Sequence, residues 1–347
     1  MFDFSETILQ NIVVHNVGNA TNNEGFQVSK QELNLDNDIL KSLLLGYFLN
    51  PFKSDVFFNF AVENEQDTNL MYEISDSIFE NPSSFYEKSI EIAEFLYEKS
   101  IHPKIKKSEF YVVYLRNCVV DSELVDAIGL FKSENKDTYL KVNNRNENFE
   151  IEYESGINIH KLDKGCLIFN TEREHGYKVS IIDAINKSSE AFYWKDEFLK
   201  IKQREDNFYN TKTVIDMCKG FTKQMKNEQE ITKKEQIDFI KNTEKYFTEN
   251  EVFDNQAFAE EVLIKPEIVE SFKKYKSSFE EEKNLSLEDG FEISGNAVKD
   301  SKGFFRSVLK LDKNFHVYVH SKPEFLERGF DNSKGMNFYK LYYEEEK

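Results

Sequence analysis

The sequence predicts an α+β fold, with a mixed N-terminal domain on a largely antiparallel sheet, then a helical region with a C-terminal β-hairpin. Three successive patterns predict it. Residues 109–182 hold short β-type runs separated by polar turns, which is typical of an antiparallel meander. From about residue 190 to 280 the apolar period is helical and the residues are charged. Strand patterns return at FFRSVLKLD and FHVYVHS, around the turn Asp312-Lys313-Asn314.

The elements before residue 109 are predicted from local start and stop signals. Residues 8–17, ILQNIVVHNV, are β-rich and precede a glycine turn, which predicts a first strand. Asp36 or Asp38 is the expected N-cap of a helix whose apolar residues recur at helical spacing over 39–48. A second helix is predicted over 85–99, because an Asn-Pro start signal precedes it and a His-Pro pair follows it.

The predicted meander is made of successive short runs. They read EFYVVYLRNCVV, LVDAIGLFKS, DTYLKV, NFEIEYE, GINIHKLD, GCLIFNTE and YKVSII. A last strand is predicted near Met336–Tyr343, after the terminal hairpin. Each run is short and bounded by polar residues, so consecutive strands are expected to pair with their neighbours.

Charge supports a domain boundary near residue 190. Residues 1–190 hold 18 Lys+Arg and 32 Asp+Glu, a net −14, and are predicted to form an acidic α+β domain. Residues 191–347 hold 27 and 31, a net −4, and form the predicted helical region with its hairpin. Within it the windows 195–226 (8 basic, 5 acidic) and 299–340 (9 basic, 5 acidic) are locally basic. This second part is therefore the candidate nucleic-acid-facing part.

The total charge restricts the class of function. The 347 residues include 45 Lys+Arg and 63 Asp+Glu, a net −18, which excludes a general basic coat for nucleic acid. Six of the 45 basic residues are Arg, and Arg makes the commonest bidentate contact to guanine edges. Sequence-specific base reading is therefore disfavoured, whereas contact between lysine and phosphate stays open.

The cysteines and the first residues indicate a cytoplasmic protein without a membrane partner. Cys118, Cys166 and Cys218 are too widely spaced for a disulfide framework or a metal knuckle. The start MFDFSETILQ is acidic where a secretory signal is basic, and no run approaches the ~18 apolar residues of a membrane span.

The first basic window predicts an amphipathic helix with a lysine stripe. Its lysines, Lys212, Lys219, Lys223 and Lys226, lie within about 60° of one another on a helical wheel, opposite an apolar stripe. Four lysines on one side of a docked helix could follow a phosphate backbone. The same pattern is the ordinary solvated face of an amphipathic helix, so both interpretations stay open.

The second basic window interleaves cations with aromatic residues on the predicted hairpin. The cations are Arg306, Lys310 and Lys313, and Phe315 and Tyr318 lie beside them. Such a surface could contact phosphates and stack bases. The alternative is a strand pair with one buried face and one wet face.

Catalytic and metal-binding motifs are missing from the sequence. It contains no GxxxxGK[ST], GxGxxG, HExxH or GxSxG pattern. His316 and His320 lie in a predicted strand, about four 3.3 Å rises apart, too far to share a metal ion. Glu172, Glu174 and His175 in TEREHG are interpreted as a solvated turn. We therefore expect no enzyme, no cofactor and no metal site.

The order of segments resembles the bacterial 37-kDa nucleoid-associated protein family. The resemblance covers most of the chain, including the first strand and FYVVYLRN. It is carried by INIHKLDKGCLIFNTEREHGYKV within Gly156–Met225, by Phe192-Tyr-Trp194, by the helical CKGF, and by the tail SVLKLDKNFHVYVHSKPEFLERGFDNSKGMNFYKLYYEEE. It implies association with the nucleoid, DNA binding or a role close to DNA-bound machinery, and no required cofactor.

Two functions of different classes follow. The first is a non-catalytic nucleoid-associated protein that binds duplex DNA with little sequence specificity through its C-terminal part, or that acts on the DNA-bound machinery. The alternative is an acidic adaptor that binds DNA-processing proteins rather than DNA, because the net −18 suits a basic partner. Sheet edges and the surplus of aromatic residues also favour a homodimer.

Overall fold

A computed structural model confirms the α+β fold. It describes residues 2–53, 55–61, 69–145, 148–183, 193–225, 231–263, 265–312, 314–319 and 323–345. The chain forms two compact units, Met1–Arg204 (unit 1) and Glu205–Lys347 (unit 2). The boundary expected at residue 190 lies outside the described residues. The segment Tyr193–Leu199, a π-helical turn, contributes Trp194 and Phe198 to the core of unit 1.

Unit 1 is built on an antiparallel sheet. Its order is β11-β4-β10-β9-β6-β5-β2-β3, with β1 on β5, and β7–β8 form a separate ribbon. The predicted first strand is confirmed, and the predicted meander is confirmed in part, because β6 pairs with β9 rather than with β7. The strands are β1 (Phe2–Asp3), β2 (Ile8–Val17), β3 (Phe26–Gln27), β4 (Phe58–Phe60), β5 (Ser108–Val120), β6 (Glu123–Ser133), β7 (Asp137–Arg145), β8 (Asn148–Gly156), β9 (Lys164–Phe169), β10 (Lys178–Asp183) and β11 (Ile201–Gln203).

Helices cover both faces of this sheet. They are α1 (Asp38–Leu49), α2 (Leu70–Glu80) and α3 (Phe85–Lys99). Along β5, Phe110, Val112 and Tyr114 pack with residues of α2 and α3, whereas Tyr111 and Val113 pack with α1. Successive side chains of a strand point to opposite faces, so a strand covered on both sides is a continuous apolar run. This explains the sequence FYVVYL.

Two predicted details in unit 1 are wrong. The N-cap of α1 is Asn37, whose side chain accepts a hydrogen bond from the Leu40 N–H (2.9 Å), rather than Asp36 or Asp38. The run GINIHKLD is a returning loop rather than a strand. Its Asp163 is buried and accepts hydrogen bonds from the backbone N–H groups of Glu134 (2.6 Å) and Asn135 (2.8 Å). Those bonds hold the loop across the end of β6, so the segment cannot pair as a strand.

Unit 2 is helical and ends in paired strands, which confirms the predicted hairpin and last strand. Its aromatic core joins α4, α5 and α7 through Phe221, Phe239 and Phe272. The elements are α4 (Asn207–Met225), α5 (Lys233–Glu249), β12 (Val252–Asp254), α6 (Asn255–Val262), α7 (Pro266–Lys283), β13 (Gly290–Glu292), α8 (Gly295–Asp300), α9 (Lys302–Phe305), β14 (Ser307–Leu311), β15 (Phe315–Val319), β16 (Leu326–Asp331) and β17 (Met336–Leu341). Across the described residues, no helix has the length and apolarity needed to span a bilayer.

Candidate nucleic-acid interface

Helix α4 contacts α5, α7 and α8, which leaves a narrow surface for its lysines. Lys219 and Lys223 are exposed, with Asp216 beside them. Lys212 is half-buried, and its Nζ donates to Ser301 Oγ (3.2 Å). Lys226 lies outside the described residues. Of the predicted stripe, the described helix therefore presents two exposed lysines rather than a row of four.

The C-terminal hairpins pack on α5. Leu309 of β14 and Leu326 of β16 are buried against Ile237 of α5. Phe239, two residues after Ile237, contacts Phe221 of α4 instead. Because residues two apart point about 200° away from each other on a helix, the hairpins and α4 lie on different sides of α5.

A groove separates hairpin β14–β15 from hairpin β16–β17. Its cavity is about 700 Å³, and both Lys310 and Arg328 line it. Its walls also include aromatic side chains such as Phe338 and Tyr339, together with the carboxylate of Asp312. Lys310 and Arg328 make no ion pair with any residue that the structure describes. The groove therefore combines two cations that are not ion-paired within the described part of the chain, one carboxylate and an aromatic surface.

The outer face of hairpin β14–β15 continues this surface. Lys310 lies directly across from His316, and Val308 across from Tyr318. Lys310, His316 and Tyr318 are all exposed. Arg306, which follows α9, is exposed as well. Lys313 and His320 lie outside the described residues.

The two predicted basic windows do not converge in this groove. None of the described residues of α4 lines it. The structure places Lys310 and Arg328 in one groove. Arg328 lies in the second basic window but was not among the predicted contact residues. The available signal was the mixture of cations and aromatic residues in this segment, where Arg328 is close to Phe330 and Tyr339 is next to Lys340.

Unit 1 buries several of its ion-paired cations, whereas the described ion pairs of unit 2, such as Lys234–Asp238 (2.9 Å) and Lys245–Glu249 (3.9 Å), lie mostly on its surface. Lys178 is buried and lies 2.5 Å from Asp121 and 3.3 Å from Glu172. TEREHG is thus an ion-paired turn, since Glu172 also binds Arg204 (2.5 Å). Other such pairs are Lys132–Glu134 (2.9 Å), Lys136–Glu109 (2.7 Å), Lys141–Glu154 (3.2 Å), Lys164–Asp183 (2.9 Å) and Arg173–Asp76 (2.6 Å).

Unit 1 also holds one basic cluster that was not predicted from the sequence. Lys104, Lys106 and Lys107 are exposed and line a cavity of about 560 Å³. Lys106 Nζ donates to Asn135 Oδ1 (2.7 Å) and Lys107 Nζ to the Glu24 carbonyl (3.2 Å), so these two bond to neutral acceptors. The sequence run KIKK at 104–107 indicates this cluster. It does not stand out in the net charge of residues 1–190, which is strongly negative.

An acidic stripe runs along α3 in the same unit. Glu87, Glu91, Glu94 and Glu98 are all exposed. Their spacing of i, i+4, i+7 and i+11 places them on one face of the helix. Lys88 binds Glu91 (2.8 Å), which leaves the stripe with a strong negative balance. This surface suits a basic partner rather than nucleic acid.

Groups with chemical reactivity are either buried or scattered. Among the described residues, no cluster of His, Cys, Asp and Glu has the geometry to hold a metal ion. Cys118, Cys166 and Cys218 are free and buried. Burial raises the pKa of the Cys118 thiol to about 12, and it raises the pKa of the other two thiols as well. Such thiols are poor nucleophiles and poor metal ligands.

One protein-family model matches most of the chain. The family model NA37, described as nucleoid-associated protein YejK, matches residues 13–335. The match begins within β2 and ends just before β17, so it takes in both units. No curated protein shows significant similarity to the chain.

Proposed function

Because this chain belongs to the NA37 family of nucleoid-associated proteins, we propose that it binds duplex DNA with little sequence preference through unit 2. One observation supports this most: Lys310 and Arg328 share a groove with aromatic side chains and have no carboxylate partner among the described residues. Cations in such a setting bind phosphates without first breaking an ion pair. Family membership also favours a non-enzymatic role.

The proposed contact set has a primary and a secondary part. The groove and its outer face are primary, because their cations are exposed, are not ion-paired among the described residues and lie next to aromatic rings that stack on bases. The stripe on α4 is secondary, because Lys212 is engaged with Ser301. The full set is Lys212, Lys219, Lys223, Lys226, Arg306, Lys310, Lys313 and Arg328.

Salt dependence of binding tests this proposal. Four phosphate contacts predict that log K falls against log salt with a slope of about −3.6. The variant K310E/R328E should reduce the size of that slope by about 1.8, since each contact contributes about 0.9. Binding is measured by gel retardation and fluorescence anisotropy with a mixed-sequence duplex.

The matched control is K30E/K161E, which makes the same charge change at two exposed lysines of unit 1. It should leave the salt slope unchanged. Two results contradict the proposal: no retardation of duplex DNA at low salt and high micromolar protein, or an equal loss of slope in both variants.

The adaptor function is the second candidate, and the acidic stripe on α3 favours it. We propose that Glu87, Glu91, Glu94 and Glu98 would meet the basic face of a DNA-processing protein. Pull-down after nuclease treatment separates the two functions. Partners that stay bound without DNA, and are lost in E87Q/E91Q/E94Q/E98Q, support the adaptor. Partners lost on nuclease treatment support direct DNA binding.

We also propose that the protein is a homodimer. The sheet edges expected to mediate it are short, because the terminal strands β3 and β11 have two and three residues. Short edges offer few unpaired backbone groups for another chain. Self-association therefore requires a different surface.

A further inference from the structure

The ribbon β7–β8 has two chemically opposite faces. Strand register pairs Leu140 with Tyr153, Val142 with Ile151, and Asn144 with Phe149. Between these rungs, Tyr139 pairs with Glu154, Lys141 with Glu152, and Asn143 with Glu150. Since side chains alternate between the faces of a strand pair, the ribbon has one apolar face and one charged face. We define the apolar face as Leu140, Val142, Phe149, Ile151 and Tyr153.

The apolar face is open to solvent. Its side chains are exposed by 71, 59, 74, 68 and 76 % in that order. The base of the ribbon is nevertheless held in place, because Asn158 Nδ2 donates to Asp137 Oδ2 (2.8 Å) and Asp163 closes the loop beyond it. An isolated two-stranded hairpin is only marginally stable in water, so an apolar face of this size requires a cover.

We propose that the apolar face binds the same face of a second copy of this chain about a two-fold axis. The inference rests on the proposed homodimer and is independent of the proposed DNA contact. Five large side chains at these exposures offer roughly 600 Å² per copy. Two copies together then bury about 1,200 Å², the lower end of stable, specific interfaces. A two-fold interface uses one patch on both subunits, so the required complement is already present.

Charge argues against the other occupants. The opposite face of the ribbon carries Glu150, Glu152 and Glu154 against Lys141. DNA and anionic lipid are repelled by it, and a basic protein would bind the charged face and leave the apolar face uncovered. An apolar face is covered most favourably by another apolar face. Packed face to face, two ribbons form a four-stranded sandwich with a dry centre.

The test changes the central rung of the apolar face. V142K/I151E puts an opposite-charge pair directly across the ribbon, which supports strand pairing while burying charge in the interface. The wild type should sediment at twice its 40.9 kDa mass. In the variant we expect the dimer dissociation constant to rise by at least about 100-fold, because buried charges are poorly solvated. Analytical ultracentrifugation over a concentration series measures it.

The control is N143K, which creates the same Lys–Glu pairing opposite Glu150 on the other face of the ribbon. It should remain a dimer. A wild type that is monomeric at all concentrations overturns the inference. A dimer that survives V142K/I151E overturns it as well when I151C also fails to cross-link between subunits, because the interface then lies elsewhere.

A second measurement does not depend on disrupting the interface. I151C should be cross-linked between subunits by a short bismaleimide, whereas N143C should not. The native cysteines are buried, so they do not compete for the reagent. Absence of the I151C cross-link overturns the inference even if the double variant fails to fold. DNA retardation is scored separately, so failure of the dimer and failure of the DNA contact give different results.

Discussion

The two units of the molecule differ in net charge and in how deeply their ion-paired cations are buried. Unit 1 holds 22 basic and 34 acidic residues, a net −12, and unit 2 holds 23 and 29, a net −6. Both are acidic. In unit 1 cations such as Lys132 and Lys178 are buried against carboxylates, whereas Lys310 and Arg328 of unit 2 line an open groove. The pairing of cations therefore says more than net charge about where phosphate can bind.

The largest expected difference concerns stability. K132A should lower the free energy of unfolding of unit 1 by about 3 kcal/mol, because the buried Glu134 carboxylate loses its cation and keeps only the hydrogen bond from the Tyr193 hydroxyl (3.0 Å) among the contacts described. K310A on the exposed hairpin should change stability by less than about 0.5 kcal/mol. Chemical denaturation measures both, and fluorescence of Trp194, the chain's one tryptophan, reports unit 1. Equal effects of K132A and K310A would remove the contrast between the units.

A pH-dependent effect follows from His15 in unit 1. Burial lowers its pKa to about 4. Its Nδ1 accepts from the Ser29 N–H (3.3 Å), so Nε2–H faces Ser89 Oγ (3.1 Å) and the ring is neutral. The unfolded chain binds a proton below about pH 6.5 and the folded chain does not, so stability falls as pH drops from 6.5 to 4, by about 3 kcal/mol in total.

H15N should remove this part of the pH dependence. Denaturation at pH 7 and pH 5 measures it, as the difference between wild type and variant. H316N is the matched control, since His316 is exposed on β15 of unit 2. If H15N and wild type lose stability in parallel on acidification, His15 is not the titrating group.

A smaller effect ranks the two basic surfaces of unit 2. K219E/K223E should reduce the salt slope by less than half of the ~1.8 expected for K310E/R328E. The reason is that α4 lies outside the groove and carries Asp216 beside its lysines. Anisotropy titrations of both variants at several salt concentrations decide the order. A larger loss in the α4 variant would make the lysine stripe the primary contact.

The smallest expected difference between the units concerns their helix caps. N37A removes the N-cap of α1, and T232A removes the capping box of α5. Each should cost about 1 kcal/mol, because each leaves a backbone N–H without its side-chain acceptor. Circular dichroism during denaturation measures both. A difference of several kcal/mol between them would show that local helix signals, and not only cation pairing, separate the units.

Local signals predicted much of the fold. The β-rich composition of 8–17 and the helical spacing over 85–99 match Ile8–Val17 and Phe85–Lys99. Helix α2 was not predicted, although Asn69 caps it and Met71, Ile74 and Ile78 repeat at helical spacing. Strand β4 has three residues, too few to show a period. Short elements of this kind are stabilised by the surfaces that they join rather than by their own sequence.

The candidate site, like the fold, was predicted from the sequence only in part. The sequence located the basic window that contains Lys310 and predicted the hairpin that carries it. It did not connect Lys310 with Arg328, because that proximity depends on how two hairpins pack on α5. The apolar face of β7–β8 can also be recognised in the sequence from the alternation of apolar and polar residues. Its exposure to solvent cannot, because a strand with one buried face shows the same alternation.

By itself, the sequence determined most of the longer helices and strands, where charge is concentrated and which catalytic motifs are missing. Only the tertiary structure decided which charges are neutralised. Lys178 meets Asp121, 57 residues away, and Arg173 meets Asp76, 97 residues away. Periodicity reflects contacts within one element, whereas an ion pair forms between elements that strand register and packing bring together. The positions of charged residues can therefore be read from the sequence. Which of these residues remain without an opposite charge on the surface can be read only from the folded structure.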